Sequence, residues 1–226
     1  MTRKIKIGPS LLSADFANLA LEVKKCEKGG ADLLHCDIMD GHFVPNITIG
    51  PLIVEAIRPL TKLPLNCHLM IEKPEKYIED FVKAGADMIS VHVECQNHLH
   101  RTLNLIRSFN IKAGIAVNPL TPLDYAFEAA EYCDFILLMS VNPGFGGQKF
   151  INSSLKKCET LANFLAQNKL KHIDIEMDGG IKIKNVSKIV SAGANMLVSG
   201  SGIFEGDVIQ NIKELRKQAE SENGRL

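Results

Sequence analysis

Histidine and aspartate alternate within one apolar, β-prone segment of the chain, residues 33–39. Side chains two residues apart in a strand point to the same face, so His35, Asp37 and Met39 share one side. Burying an imidazole and a carboxylate without partners would cost several kcal/mol. The Asp-Gly turn that follows puts the pair at the C-terminal end of the strand, where parallel α/β sheets keep their chemistry. The pair is therefore either a hydrogen-bonded core pair or part of a functional site.

Two further strands end in residues of the same kind. The third predicted strand carries His68 near its end, and the seventh ends in Asp178, which Gly179 and Gly180 follow at once. If the strands close into a barrel, their C-terminal ends face one mouth, and these two side chains can meet His35 and Asp37 there. Two imidazoles and two carboxylates suit one divalent ion of zinc, iron(II), manganese or cobalt, and do not suit calcium or magnesium. The spacing leaves the choice among the four metals open.

Two carboxylates at one metal also favour acid–base chemistry. A metal that binds adjacent carbonyl and hydroxyl oxygens would stabilise the enediolate that forms when a proton next to a carbonyl is abstracted. With one carboxylate on each side of that plane, a proton can leave one face and return to the other, which inverts a stereocentre. Three methionines at inward-facing strand ends could form an apolar wall that excludes water, or could be ordinary barrel packing. They are Met39, Met70 and Met139.

Glycine-rich loops follow the sixth, seventh and eighth predicted strands, at residues 142–147, 179–180 and 199–202. Glycine lets backbone N–H groups converge on an anion, and a following helix N-terminus adds partial positive charge. A phosphate site after strands seven and eight recurs in (β/α)8 barrels. Three such clusters at the same end of the barrel predict a ligand that carries a phosphate.

The elements that must position these residues alternate along the whole chain of 226 residues as eight strand-then-helix units. Three helix-to-strand joints share nearly the same letters, GGAD at 29–32, AGAD at 84–87 and AGAN at 192–195, each with a glycine that can end a helix. This repeat predicts an α/β fold, a single (β/α)8 TIM barrel over residues 1–226, with a frayed polar tail at 221–226. An open doubly wound sheet is the second candidate, but it would want a GxGxxG or P-loop turn, and neither is present.

Composition argues against several classes of partner. The 26 basic and 26 acidic residues are mixed along the chain and give zero net charge, so neither nucleic acid nor an acidic membrane surface is indicated. No apolar run approaches the ~20 residues of a membrane helix, and the N-terminal run is too short for a signal peptide. The six cysteines form no CxxC pair and lie in apolar segments, as expected of reduced thiols. A cytoplasmic protein is expected.

Motifs spread over essentially the whole chain match those of one enzyme family. In chain order they are IGPSLLSAD at 7–15, HCDIMDGHFVPNITIGP at 35–51, HLMIEKPE at 68–75, VHVE at 91–94, MSVNPGFGGQKF at 139–150, MDGGI at 177–181 and ANMLVSGSGIF at 194–204. The chain resembles the ribulose-phosphate 3-epimerases, and no motif position departs from the family pattern. The first two motifs, together with VNPGFGGQ, are the most specific.

The resemblance implies a ribulose-phosphate-binding barrel that interconverts D-ribulose 5-phosphate and D-xylulose 5-phosphate, as a dimer or hexamer of identical chains. It implies that Asp37 and Asp178 form an acid–base pair that exchanges roles with the direction of the reaction. The residues implied to bind one divalent transition metal are His35, Asp37, His68 and Asp178. Those implied to contact the sugar are Ser10 and His68, and those implied to hold the phosphate are Gly144, Phe145, Gly146, Gly147, Gly179, Gly180, Gly200 and Ser201.

Other functions stay open beside this one. A 3-epimerase of a ketohexose 6-phosphate such as allulose 6-phosphate would need the same groups. A phosphate-binding barrel aldolase or decarboxylase would want a lysine beside the aspartates at a strand end, and none is there. A non-catalytic barrel that binds sugar phosphates would usually lack a metal ligand or an aspartate, whereas all four ligands are present.

Two more acidic residues, Asp174 and Glu176, share the inward parity of Asp178 but lie deeper in the predicted barrel. Lys6 and Lys112 have matching parity on other strands. We therefore predict an ion-pair cluster at the barrel floor rather than a catalytic role. His92 faces inward on the fourth strand, either beside the metal ligands or as an ordinary core histidine.

Overall fold

The computed structural model describes residues 3–223, and within them eight parallel strands form one curled sheet. The strands are β1 (Lys6–Pro9), β2 (Leu34–Met39), β3 (Leu65–Met70), β4 (Met88–His92), β5 (Lys112–Val117), β6 (Phe135–Met139), β7 (Asp174–Asp178) and β8 (Met196–Ser199). Consecutive strands from β2 to β8 pair in order, and β8 pairs with β1. A bridge between Ser10 and His35 joins β1 to β2 and closes the ring. The predicted barrel is confirmed.

Helices follow the strands and cover the outside of the barrel. They are α1 (Leu19–Gly29), α2 (Pro51–Ile57), α3 (Ile78–Lys83), α4 (Leu99–Ser108), α5 (Asp124–Ala129), α6 (Ser153–Gln167), α7 (Ile183–Ser191), α8 (Ser201–Phe204) and α9 (Val208–Asn223). The outward faces of the strands are apolar and fully buried, as at Cys36, Cys67 and Ile89. Strands that are buried on both sides explain why these segments read as continuous apolar runs.

Strand β7 ends at Asp178, as predicted, whereas one helix boundary differs from that expected. Helix α9 continues to Asn223, past the start of the predicted frayed tail. The remaining tail, residues 224–226, lies outside the described residues, so fraying there stays a prediction. No helix in the described part of the chain has the length and apolarity that crossing a membrane requires.

An apolar layer closes the bottom of the barrel. It consists of Leu33, Met88, Phe135 and Met196, all nearly or fully buried. Gly114 leaves the room that the Phe135 ring occupies, because a Cβ at this position would lie only 2.3 Å from the ring. Above this layer the inward-facing side chains become polar toward the mouth.

The helix-to-strand joints before the even-numbered strands share one contact. In each joint, a side-chain oxygen accepts a hydrogen bond of 2.8 or 2.9 Å from a backbone N–H near the start of the preceding odd-numbered strand. The pairs are Asp32 with Ile7, Asp87 with Leu65, Asp134 with Ala113, and Asn195 with Ile175. The repeated GGAD, AGAD and AGAN letters therefore mark a two-strand unit, in which the last letter ties the strands together.

Candidate active site

Strands β2, β3 and β7 bring the four predicted metal ligands together at the mouth of the barrel. One ligand atom from each side chain lies within 4.8 Å of the others. The four are His35, Asp37, His68 and Asp178. Because β2 and β3 pair in parallel register, Asp37 stands opposite His68, while Asp178 reaches in from the far side of the ring.

The imidazole nitrogens that face this centre have no hydrogen-bond partner among the described residues. His35 Nε2 and His68 Nδ1 are buried. They lie 3.4 and 3.5 Å from Asp37 Oδ1, and each lies 3.9 Å from Asp178 Oδ2. Two ligands held about 2.0–2.2 Å from one tetrahedral ion would be about 3.4 Å apart. The chemistry and the spacing of these donors fit one divalent transition metal.

The same side chains strongly perturb one another's pKa values. Burial would lower the pKa of His35, but the carboxylates of Asp37 and Glu176 raise it well above its usual range. Burial lowers the pKa of His68 to about 3. Burial opposes ionisation of Asp37, yet His35 and His68 hold its pKa well below the usual range. The pKa of Asp178 is raised by burial and by the charge of Asp37. Two carboxylates with pKa values pushed apart suit the roles of base and acid.

Hydrogen bonds fix the position of each carboxylate-bearing strand end. Ser10 Oγ donates to Asp37 Oδ2 at 2.6 Å, and Thr48 Oγ1 donates to the backbone oxygen of Asp37 at 2.6 Å. Ser140 Oγ donates to the backbone oxygen of Asp178 at 2.8 Å. These bonds leave Asp37 Oδ1 as the oxygen that faces the two imidazoles.

Behind the ligands, the structure corrects the prediction for Glu176. Lys6 pairs with Asp174, as expected of a floor cluster, but Glu176 is fully buried and pairs with neither predicted lysine. Its Oε1 lies 3.4 Å from His35 Nδ1 and accepts a 2.7 Å hydrogen bond from Asn66 Nδ2. Parity along β7 correctly turns Glu176 inward. The parity does not reveal that this residue lies at the height of His35.

A cavity opens above the two carboxylates, and nearly all predicted substrate residues line it. The predicted substrate residues that line it are Ser10, Gly144, Phe145, Gly146, Gly147, Gly179, Gly180, Gly200 and Ser201. The two aspartates of the predicted acid–base pair and the three methionines of the predicted apolar wall line it as well: Asp37, Asp178, Met39, Met70 and Met139. Further lining residues that motif analysis did not single out are Leu12, Ser13, Val141, Pro143, Gln148 and Ile181. His68 is fully buried and is absent from the described lining, so its predicted contact with the sugar stays a prediction.

Glycine is required where the loop after β7 meets the loop after β6. Gly180 has a φ of +64°, and a Cβ there would lie 2.6 Å from the backbone nitrogen of Phe150. Asn46 Nδ2 donates to the backbone oxygen of Gly144 at 2.9 Å, which ties the β2 and β6 loops together. No lysine or arginine of the described chain lines the cavity, so backbone N–H groups and hydroxyls are the donors available to an anion.

The fold and the site define a (β/α)8 barrel with a two-histidine, two-aspartate candidate metal centre at its C-terminal mouth. Residues 6–204 match the sequence model of the Ribulose-phosphate 3 epimerase family, and the chain belongs to that family of enzymes. It is 53% identical over 213 residues to ribulose-phosphate 3-epimerase from Bacillus subtilis (strain 168), covering 94% of this chain and 98% of that protein. It is 55% identical over 206 residues to the enzyme of the same name from Synechocystis sp., covering 90% and 89%.

Solved structures with low sequence identity share the fold. One is 3-keto-L-gulonate-6-phosphate decarboxylase from Vibrio cholerae, with a TM-score of 0.74 and 13% identity over 97% of this chain and 99% of that one. Another is 3-hexulose-6-phosphate synthase from Salmonella typhimurium, with a TM-score of 0.72 and 14% identity over 96% and 100%. At such identity the likeness concerns the barrel alone.

Proposed function

We propose that the protein inverts C3 of D-ribulose 5-phosphate to give D-xylulose 5-phosphate, using Asp37 and Asp178 as the two proton-transfer groups. The observation that carries this proposal is geometric: the carboxylates of Asp37 and Asp178, from β2 and β7, line one cavity beside two buried imidazoles. Membership of the ribulose-phosphate 3-epimerase family supports the same substrate.

The two aspartates approach the cavity from β2 and β7, so a substrate held between them would present one face to each. In one direction, the ionised carboxylate of Asp37 accepts the proton from C3, and the carboxyl group of Asp178 delivers a proton to the opposite face. In the reverse direction the roles exchange, as microscopic reversibility requires. Ser10 holds the Asp37 carboxylate in place through its hydrogen bond to Oδ2.

The buried centre would hold one divalent ion of zinc, iron(II), manganese or cobalt. When bound, this ion would supply positive charge to the two oxygens of the enediolate. The residues that would hold it are His35, Asp37, His68 and Asp178. Met39, Met70 and Met139 supply apolar surface around the cavity and exclude water from the site of proton transfer.

The glycine-rich loops would bind the phosphate group of the substrate. The segments at 144–147, 179–180 and 200–201 line the cavity, where their backbone N–H groups would be hydrogen-bond donors, and the Ser201 side chain would add a hydroxyl group. Since lysine and arginine are absent from the described lining, recognition would depend on these neutral donors. A cytoplasmic location and a homo-oligomer, dimer or hexamer, belong to the same proposal.

The test is isotope exchange in deuterium oxide. Metal-loaded protein is incubated with ribulose 5-phosphate, and deuterium at C3 and xylulose 5-phosphate are followed before chelation, after it and after metal is restored. We expect deuterium in the new epimer, loss of exchange with the metal, and recovery on its return. The exposed-residue variant Asp124→Asn should behave as the wild type. Faster exchange on allulose 6-phosphate than on ribulose 5-phosphate would reject the pentose assignment, and epimerisation after complete metal removal would reject the metal's role.

A further inference from the structure

Two residues stand in line behind the candidate ligand His68. His68 Nε2 lies 2.8 Å from His92 Nε2, and His92 Nδ1 lies 3.0 Å from Glu94 Oε2. Both imidazoles are fully buried. The second oxygen of Glu94 accepts hydrogen bonds from the backbone N–H of Asn118, at 2.9 Å, and from the hydroxyl of Thr121. The contacts form a continuous chain from the metal centre to the loop after β5.

The ionised carboxylate of Glu94 determines which nitrogen of His92, and then which nitrogen of His68, carries a proton. Burial opposes ionisation of Glu94, but hydrogen bonds from His92 and Thr121 lower its pKa to about 2, so the carboxylate only accepts. His92 must then donate through Nδ1, and a neutral imidazole with its proton on Nδ1 accepts through Nε2. His68 therefore donates through Nε2. Its Nδ1 is left with a lone pair that points at Asp37 and Asp178.

We propose that Glu94 is a positioning residue that acts through His92 to keep the proton of His68 on Nε2. The Nδ1 lone pair is thereby kept available for a metal, and the inference rests in this respect on the proposed function. The residues that bind a metal-ligating imidazole from behind fix its tautomer and raise its basicity in many metal sites.

The two imidazoles of the centre reach their carboxylates in different ways. His35 Nδ1 faces Glu176 directly, inside the barrel. His68 is connected through His92 to the carboxylate of Glu94, which lies outside the strands. The loop after β5, which donates hydrogen bonds to Glu94, is held by Lys157 of α6. Lys157 donates to the backbone oxygens of Asn118, Pro119 and Thr121. The orientation of one ligand is thus set from β4, the β5 loop and α6 together.

The decisive variant is Glu94→Gln. It keeps the shape of the side chain but reverses which group donates and which accepts in each hydrogen bond from residue 94 to His68. The amide oxygen must face the N–H of Asn118, which only donates, so the amide NH2 group faces His92 Nδ1. His92 then carries its proton on Nε2 and donates to His68 Nε2, which moves the His68 proton to Nδ1. Glu94→Ala removes the preference for a proton on His92 Nδ1 without creating the opposite preference.

The experiment measures metal affinity of the metal-free protein by titrating Zn²⁺ against a competing chelator. We expect Glu94→Gln to weaken affinity by about 10–100-fold, and Glu94→Ala to weaken it less. A merely structural role predicts the opposite order, since glutamine preserves the contacts with the β5 loop and alanine does not. The exposed control Glu55→Gln on α2 should bind as the wild type does. Affinity of Glu94→Gln within twofold of the wild type, or better than that of Glu94→Ala, would overturn the proposal.

A second readout needs no variant. Nitrogen-15 NMR of the imidazoles in the metal-free wild type should show His68 with its proton on Nε2 and His92 with its proton on Nδ1. A proton on His68 Nδ1 would refute the inference. Both measurements are made without substrate, so they are separate from turnover: a wild type that binds metal but fails to epimerise would reject the proposed function alone.

Discussion

Ser10 Oγ donates a 2.6 Å hydrogen bond to Asp37 Oδ2, at the junction where β1 meets β2. The backbone of Ser10 also makes the bridge to His35 that closes the barrel. The same residue therefore holds the ring shut and keeps one carboxylate oxygen away from the imidazoles. Closure of the barrel and alignment of the candidate catalytic base depend on one short segment.

Replacing Ser10 with alanine should lower turnover as well as stability. The buried Oδ2 of Asp37 would lose its partner, which costs about 1–3 kcal/mol, and the carboxylate would become free to turn. We expect kcat to fall about tenfold or more, measured with the wild type's metal content restored. The exposed variant Ser108→Ala, whose hydroxyl bonds only its own helix, is the control. Unchanged kcat in Ser10→Ala would contradict the positioning role.

The variants Asp37→Asn and Asp178→Asn should each lower turnover by about 10²–10⁴-fold or more, because an amide can neither accept nor deliver the proton. Each change also removes a charged candidate ligand of the metal, so metal content must be measured beside kcat. Circular dichroism should show an intact barrel, since the fold rests on the apolar faces of the strands. Near-wild-type turnover in either variant would refute the two-aspartate mechanism.

Asp32 should contribute stability that depends on pH. Burial raises its pKa, but Arg216 and the N–H of Ile7 outweigh burial and lower the pKa below its usual value. A folded-state pKa below the unfolded one means that the stabilisation is present above about pH 4, the unfolded value, and is lost as the pH falls through the folded-state value. Asp32→Asn should therefore be less stable than the wild type at pH 7. In urea titrations from pH 7 downward, the gap should shrink with acid; a gap that stayed constant would argue against this origin.

Gly180→Ala should weaken the phosphate loop. The substitution forces a side chain into a left-handed conformation, and its Cβ would lie 2.6 Å from the Phe150 nitrogen, so the loops after β6 and β7 must separate. We expect a raised KM for the sugar phosphate together with a lower melting temperature. Gly147→Ala separates the two causes, because Gly147 lines the same cavity with a φ of +73° while no atom of the described chain lies within 4 Å of the added Cβ. An equal rise in KM for both variants would show that crowding at Phe150 is irrelevant.

The sequence was sufficient to predict the barrel and the four candidate ligands, because both follow from periodicity. Alternation in a strand decides which side chains face inward, and an apolar run that ends in a turn shows where the mouth lies. Alternation does not predict the height of a side chain along the barrel axis, because this height depends on the stagger between strands. For this reason parity predicts an ion pair between Glu176 and a lysine at the floor, whereas the side chain of Glu176 contacts His35.

Periodicity also cannot predict contacts made by residues in loops. Glu94 lies two residues after His92, a spacing that places two strand side chains on one face, but nothing in the spacing indicates that Glu94 also contacts Thr121 in the loop after β5. Likewise, the joint motifs drew attention through their glycines, while the hydrogen bonds made by Asp32 and Asn195 emerge only in three dimensions.

The repeated joint contact bears on how the chain reaches its native state. Its four hydrogen bonds join residues only 20 to 25 positions apart, so two-strand units can form with little loss of loop-closure entropy. The pairing of Lys6 with Met196, by contrast, joins the two ends of the barrel, and contacts of such long range form slowly. His68 and Asp178 belong to different two-strand units. The candidate ligands should therefore come together only when the ring closes. We expect tight metal binding by the closed barrel and weak binding by a half-assembled one.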